Sequence, residues 1–134
     1  MNRLSAALLI AVTIGCLVAA ANGRKGTLVQ QAPANTSQLV NPYEGDERAA
    51  KAGAKLYRRE CAPCHGKSGE GFRNAPPLDR PDVKNAPPGA LFWVLRNGSL
   101  RHGMPSFSHL PEPRRWQIVT YVRSLPEAAK AVSK

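Results

Sequence analysis

The sequence predicts a small all-α domain, and three observations support this prediction. Three stretches of the chain place apolar residues at helical spacing, and no stretch shows the apolar–polar alternation of a half-buried strand. A coil over residues 66–88, rich in glycine, proline and asparagine, separates the first two of these stretches. So long a coil is unusual inside a compact domain. We therefore expect it to wrap a large apolar ligand that completes the core of a chain too small to bury much surface alone.

Helix boundaries follow from capping and proline rules. Acidic side chains around residues 44–47 suit the start of the first helix, which continues to residue 60. The second helix is predicted at about 89–97, after a helix-blocking proline pair, and Asn97-Gly98 ends it. The third begins near Pro111, because proline suits a first turn, and is stopped by Pro126.

The N-terminal residues 1–21 carry the pattern of an export signal. Arg3 precedes an apolar stretch that ends on small residues, which is typical of a secretory signal cut near Ala21. An uncleaved membrane anchor is the alternative, since about 18 apolar residues is near the lower limit for spanning a bilayer. Cys16 faintly resembles a lipoprotein processing site, although the residues around it fit that pattern poorly. We expect an exported protein, periplasmic or on the outer side of the cytoplasmic membrane.

The rest of the chain divides into three parts. Residues 22–41 are polar, lack an apolar period and are predicted to form a flexible linker. Residues 42–126 form the predicted domain, and 127–134 a short tail. The formal charge of +10 favours acidic partners. We expect no nucleic-acid partner, because the protein is predicted to be exported, its cations are spread along the chain and its aromatic residues are few.

Cys61-Ala62-Pro63-Cys64-His65 is the main chemical motif of the sequence. The C-x-x-C-H spacing indicates covalent haem attachment. Two thiols three positions apart, at the end of a helix, reach the two vinyl groups of a porphyrin, and the adjacent imidazole ligates its iron. Three other interpretations are weaker. A thioredoxin-like redox pair needs a βαβ context, a zinc site needs further ligands, and a plain disulfide makes no use of the adjacent histidine.

Met104 is a candidate second iron ligand. It lies in Gly103-Met104-Pro105, between the second and third predicted helices. A thioether is a soft, neutral ligand suited to haem iron, and His/Met ligation raises the reduction potential. The alternative is that Met104 fills a gap in the core. His102 and His109 flank it and are the rival ligands.

Around these motifs the chain resembles the small class I cytochromes c over nearly all of residues 42–126. In that family a glycine and an aromatic residue precede the first cysteine by eight and four positions, as Gly53 and Tyr57 do here. Ile118 and Tyr121 match the aliphatic and aromatic pair of the family's last helix. The resemblance implies a small cytochrome c fold, with three main helices wrapped around one covalently attached haem c.

The resemblance also implies roles for single residues. It places the axial methionine at Met104. In the family, a proline carbonyl after the motif accepts a hydrogen bond from the haem-ligating histidine, here His65, and a leucine that packs on the haem follows. Pro77 and Leu78 match these positions, and Pro77 is preferred over Pro76 because it directly precedes the leucine.

The function implied is electron carriage, with the iron cycling between Fe(III) and Fe(II). Redox proteins with acidic docking surfaces are the expected partners, and the N-terminus offers a means of membrane attachment. With Met104 on the iron no coordination position is open, so no enzymatic activity is expected. The alternatives are a peroxidase-like haem enzyme or a haem-based ligand sensor with an open sixth position, or an accessory haem subunit fixed to a larger oxidoreductase.

Overall fold

The computed structural model describes residues 27–127 of the 134-residue chain. Its α-helices are α1 (Glu47–Glu60), α2 (Ala62–His65), α3 (Pro81–Lys84), α4 (Pro88–Asn97) and α5 (Glu112–Ser124). Single 3-10 segments cover Leu28–Gln31, Ala34–Gln38 and Leu100–His102. Over the described range, extended pairing is limited to the isolated bridges Phe72–Ala75 and Ser99–Met104. The predicted all-α fold is confirmed.

Local chemistry explains the ends of the three long helices, which lie where the sequence placed them. The carboxylate of Asp46 caps α1 by accepting hydrogen bonds from two N–H groups of its first turn, at 2.8 and 3.1 Å. Pro88 and Pro113 occupy the first turns of α4 and α5, where no N–H partner is needed. Gly98 follows α4 with a φ of 65°, a conformation that glycine adopts without steric cost.

A close helix crossing joins α1 to α5. Gly53 lies at this crossing, where a Cβ would stand 2.0 Å from the carbonyl oxygen of Gln117. The rings of Tyr57 and Tyr121 pack at a centroid distance of 5.1 Å, and Ile118 is fully buried. These are the positions that the resemblance assigned to helix packing, and they pack as expected.

A second contact joins α4 to α5 and to the loop between them. Phe92 stacks on Trp116 with ring centroids 4.1 Å apart. The guanidinium of Arg115 lies over the ring of Phe92, 4.9 Å from its centroid. It also donates hydrogen bonds to the carbonyls of Ser108 and Leu110, at 3.1 and 3.0 Å. The buried arginine therefore ties the α4–α5 loop to the core.

Residues 27–41, predicted as part of a flexible linker, instead pack on the helices. A Cβ at Gly89 would stand 1.9 Å from the carbonyl oxygen of Thr36, so the second 3-10 segment lies directly against α4. Asn41 is buried, and its Nδ2 donates to the hydroxyl of Thr120 at 2.9 Å. These contacts are made by backbone and polar groups, which an apolar period does not reveal.

The predicted export segment, residues 1–21 with Cys16, lies outside the described residues. So do residues 22–26 of the predicted linker and 128–134 of the predicted tail. Among the helices between residues 27 and 127, none is long and apolar enough to cross a membrane.

Candidate functional site

A short helix brings the two cysteines and the histidine of the motif together. The carbonyl of Cys61 accepts hydrogen bonds from the N–H groups of Cys64 and His65, at 3.1 and 2.8 Å, so α2 starts directly after α1. Pro63 lies in its first turn, where proline suits a helix. Cys61 and His65 are buried, whereas Cys64 is exposed. Both thiols and the imidazole therefore lie on one helical turn.

The coil after the motif orients the imidazole of His65. Its Nδ1 lies 2.9 Å from the carbonyl oxygen of Pro76. Because a carbonyl only accepts hydrogen bonds, Nδ1 carries the hydrogen, and in the neutral ring Nε2 keeps its lone pair. This is the arrangement of a metal-ligating histidine whose second nitrogen is held by an acceptor. The N–H of Gly71 also donates to the carbonyl of His65 at 2.8 Å, which closes the coil over the motif.

The choice of Pro77 over Pro76 as the acceptor for His65 was wrong. The register of this segment is set by the N–H of Leu78, which donates to the carbonyl of Gly69 at 2.6 Å. Of the two prolines, Pro76 is the one whose carbonyl oxygen faces the ring. The dipeptide itself does not encode which one. Leu78 is half-buried and packs against the core.

Glu70 holds the turn that follows the motif, a role that was not predicted from the sequence. Its carboxylate accepts a hydrogen bond from the N–H of Ser68 at 2.7 Å and lies close over Gly66. Hydrogen bonds from the N–H groups of Glu70 itself and of Ser68 lower the pKa of Glu70. The hydroxyl of Tyr57 donates to the carbonyl of Gly66 at 2.9 Å, which ties the turn to α1. The available signal was a carboxylate in a glycine-rich turn.

The environment of the thiols does not suit a redox pair or a zinc site. Cys61 and Cys64 are both free. Burial, followed by the charges of Glu60 and Cys64, raises the pKa of Cys61 to about 12. A reactive redox cysteine instead has a lowered pKa. In the part of the chain that the structure covers, no group of three or more histidine, cysteine or acidic side chains is arranged to hold a metal ion.

Met104 lies in a tight hairpin between α4 and α5. Ser99 and Met104 exchange two backbone hydrogen bonds, at 2.8 and 3.0 Å. Gly98 is in close contact with the backbone of Pro105, and Gly103 has a φ of 79° that closes the turn. Met104 itself is half-buried and packs against the core. The hairpin therefore fixes the backbone of the methionine.

The rival ligands His102 and His109 are both exposed. The Nδ1 of His102 lies 2.7 Å from the hydroxyl of Ser99, and the ring of His109 lies beside that of Phe107 at 6.0 Å. Met104 packs against the core, whereas both histidines are exposed.

These residues fit a covalently attached haem. The two free thiols of Cys61 and Cys64 have the spacing that thioether bonds to two vinyl groups require. The Nε2 of His65 is available to iron because Nδ1 is already held. The donor set therefore matches haem better than it matches a disulfide or zinc.

Comparison with known proteins decides the family. Residues 48–122 match the model of the family described as cytochrome c oxidase, cbb3-type, subunit III. The chain belongs to this family. The resemblance to class I c-type cytochromes is thereby confirmed, and with it the covalent haem c that such cytochromes carry. The matched range contains every predicted site residue, namely Cys61, Cys64, His65, Pro77, Leu78 and Met104.

Similar proteins support the assignment to the cbb3-type subunit III family. The cbb3-type cytochrome c oxidase subunits FixP of Sinorhizobium medicae (strain WSM419) and Rhizobium meliloti (strain 1021) are each 28% identical over 123 residues. The match covers 84% of this chain and 42% of each relative, so the chain spans about two fifths of their length. The crystal structure of cytochrome cL from Methylophaga aminisulfidivorans MPT is 32% identical, with a TM-score of 0.55. The match covers 63% of this chain and 58% of the cytochrome cL chain, which confirms the cytochrome c fold.

Proposed function

We propose that this protein is an electron carrier whose haem c is attached through Cys61 and Cys64 and ligated by His65 and Met104. The contact between His65 Nδ1 and the carbonyl of Pro76, at 2.9 Å, carries this proposal, because it leaves Nε2 of a buried imidazole beside two free thiols. When bound, haem supplies a one-electron Fe(III)/Fe(II) couple. The chain attaches the group, orients its ligand and limits its contact with water.

Pro76 and the buried position of His65 tune the proximal side. A hydrogen bond from Nδ1 to a carbonyl fixes the ring and makes the imidazole a more basic ligand. His65 is 9% exposed, so little water reaches this ligand. We further propose that Pro77 and Leu78, next along the same segment, pack against the ring system.

Met104 completes the ligand set in this proposal. Its half-buried position against the core and its backbone hydrogen bonds in the hairpin support this role. With the thioether of Met104 as its second protein ligand, the iron would have no coordination site open to oxygen, peroxide or a substrate. We therefore propose that the protein transfers electrons and does not transform a substrate.

We propose that electrons pass to redox proteins with acidic docking surfaces, outside the cytoplasm. The formal charge of +10 supports acidic partners, because long-range attraction speeds their encounter. The sequence pattern of residues 1–21 supports export to the periplasm or the outer face of the cytoplasmic membrane. The curated relatives are named as subunits of an oxidase, which favours a carrier attached to a larger oxidoreductase as the second candidate.

Absorption spectroscopy of the haem-loaded protein tests the ligand set. The oxidised wild type is expected to show the weak far-red band of iron–thioether bonding, and the reduced protein is expected not to bind carbon monoxide. Met104→Ala should lose the band and gain carbon monoxide binding, whereas the control variant His102→Ala should behave as wild type. Carbon monoxide binding by the wild type would instead indicate an open position and support the enzyme or sensor alternatives.

A further inference from the structure

A groove of about 490 Å³ runs along α1 and α5, and none of the haem-site residues lines it. Five of the side chains that line it are basic, and none of those lining residues is acidic. The lining residues are Arg48, Lys51, Ala52, Lys55, Leu56, Arg59, Arg114 and Gln117.

The cations follow the helical repeat of α1. Arg48, Lys51, Lys55 and Arg59 are three or four residues apart, so they lie along one face. Their stripe is about 16 Å long at the rise of an α-helix. Arg114 on α5 adds a fifth cation to the same groove. Like charges at this spacing oppose helix formation, so helix stability alone does not account for them.

Little of this charge is neutralised within the described chain. Arg59 pairs with Glu60 at 2.6 Å, on the surface. Arg48, Lys51 and Lys55 are exposed and form no ion pair with any residue between 27 and 127. The groove therefore presents a concentrated positive field to an incoming molecule.

The floor of the groove is apolar. Ala52 and Leu56 are half-buried between the exposed cations, beside the close crossing at Gly53. A flat bilayer would meet the rim cations but would leave this floor uncovered. A protruding polypeptide segment could contact both the rim cations and the apolar floor. Its carboxylates would face the rim, and an apolar side chain would cover the floor.

We propose that this groove docks an acidic, amphipathic segment of a partner protein. Aspartate or glutamate side chains of that segment pair with Lys51, Lys55 and their neighbours, and an apolar side chain covers Ala52 and Leu56. This proposal goes beyond electron carriage, because it assigns partner binding to a surface that includes none of the haem-binding residues.

Nuclear magnetic resonance of the reduced, haem-loaded full chain tests the proposal. The probe is a synthetic helical peptide of about 12 residues, long enough to follow the groove, with glutamates on one face and leucines on the other. Amide shifts are expected over residues 48–59 and around Arg114 and Gln117. The double variant Lys51→Glu/Lys55→Glu should bind at least about tenfold more weakly, because two attractions become repulsions.

Arg96→Glu/Arg101→Glu is the matched control, since both exposed arginines lie outside the groove and the change in net charge is the same. It should weaken binding by less than about twofold at physiological salt. The Lys51→Glu/Lys55→Glu variant places negative charges beside Arg48 and Arg59. Helix α1 is therefore expected to persist in it, which circular dichroism would show.

Three results would overturn the docking proposal. Equal weakening by both double variants would show a response to net charge alone. Shifts centred on the haem motif would place docking there. Binding to phosphatidylglycerol vesicles without binding to the peptide would make a membrane the occupant. In each of these three cases, an unchanged haem spectrum in both double variants would show that the proposed electron carriage is unaffected.

Discussion

Replacing Gly53 by alanine tests whether α1 and α5 must cross as closely as the structure shows. The added Cβ would stand 2.0 Å from the carbonyl oxygen of Gln117 and 2.6 Å from its carbon. Both atoms belong to the backbone, so no side-chain rotation relieves the clash. Ordinary contact begins near 3.4 Å, and the helices must therefore separate locally by roughly 1.4 Å.

The expected loss of stability is substantial. Overpacking costs about 1–3 kcal/mol, and separation of the helices also weakens the Tyr57–Tyr121 contact by about 0.5–1.5 kcal/mol. Alanine returns about 1 kcal/mol through its better helix propensity. The net destabilisation of Gly53→Ala is about 2 kcal/mol, which corresponds to a Tm lower by about 10 °C for a domain of this size.

Thermal unfolding of the haem-loaded protein, followed by circular dichroism, measures this effect. Lys51→Ala and Lys51→Gly are the matched pair, because Lys51 is exposed on the same helix. There the glycine variant should be the less stable of the two by about 1 kcal/mol. At position 53 the order of glycine and alanine should be reversed. An alanine at 53 that left Tm unchanged or raised it would refute the close crossing.

Three further variants test other parts of the structure. Asn41→Ala removes a buried hydrogen-bond donor and should lower the free energy of unfolding, measured in urea, by about 1–3 kcal/mol. An unchanged free energy would indicate that the N-terminal segment is a flexible linker. Because the fold lowers the pKa of Glu70, the wild type should lose stability as pH falls from the ordinary value of 4.5 through that lowered pKa. Glu70→Gln should reduce this acid dependence, and identical pH profiles would contradict the role of the carboxylate. Gly71→Ala adds a Cβ within 2.8 Å of the neighbouring proline backbone. This variant should displace the Pro76 carbonyl that holds His65. The reduction potential measured by voltammetry should rise, because the imidazole becomes less basic. An unchanged potential would count against the contact between His65 and Pro76.

The helices and their packing positions were predictable because they depend on local chemistry. Asp46 caps α1, and prolines mark the starts of α4 and α5, all visible in the sequence. Gly53 and Tyr57 could be assigned to the helix crossing because the family resemblance gave their spacing from the first cysteine.

Other features depend on contacts between distant backbone groups, which no local pattern encodes. Pro76, and not Pro77, faces His65 because hydrogen bonds elsewhere in the coil set the register. Thr36 packs on α4 through its carbonyl, so a polar segment that reads as a linker forms part of the folded unit. Arg114 joins the cationic groove only when α5 folds against α1.

Mass spectrometry of the protein exported from cells that attach haem tests whether this chain carries haem covalently. We expect a mature mass increased by one haem, with the added mass located on the peptide that contains Cys61 and Cys64. Cys61→Ser/Cys64→Ser should abolish the increase. A wild-type mass without haem, in cells that attach haem to another c-type cytochrome, would contradict covalent haem attachment through Cys61 and Cys64.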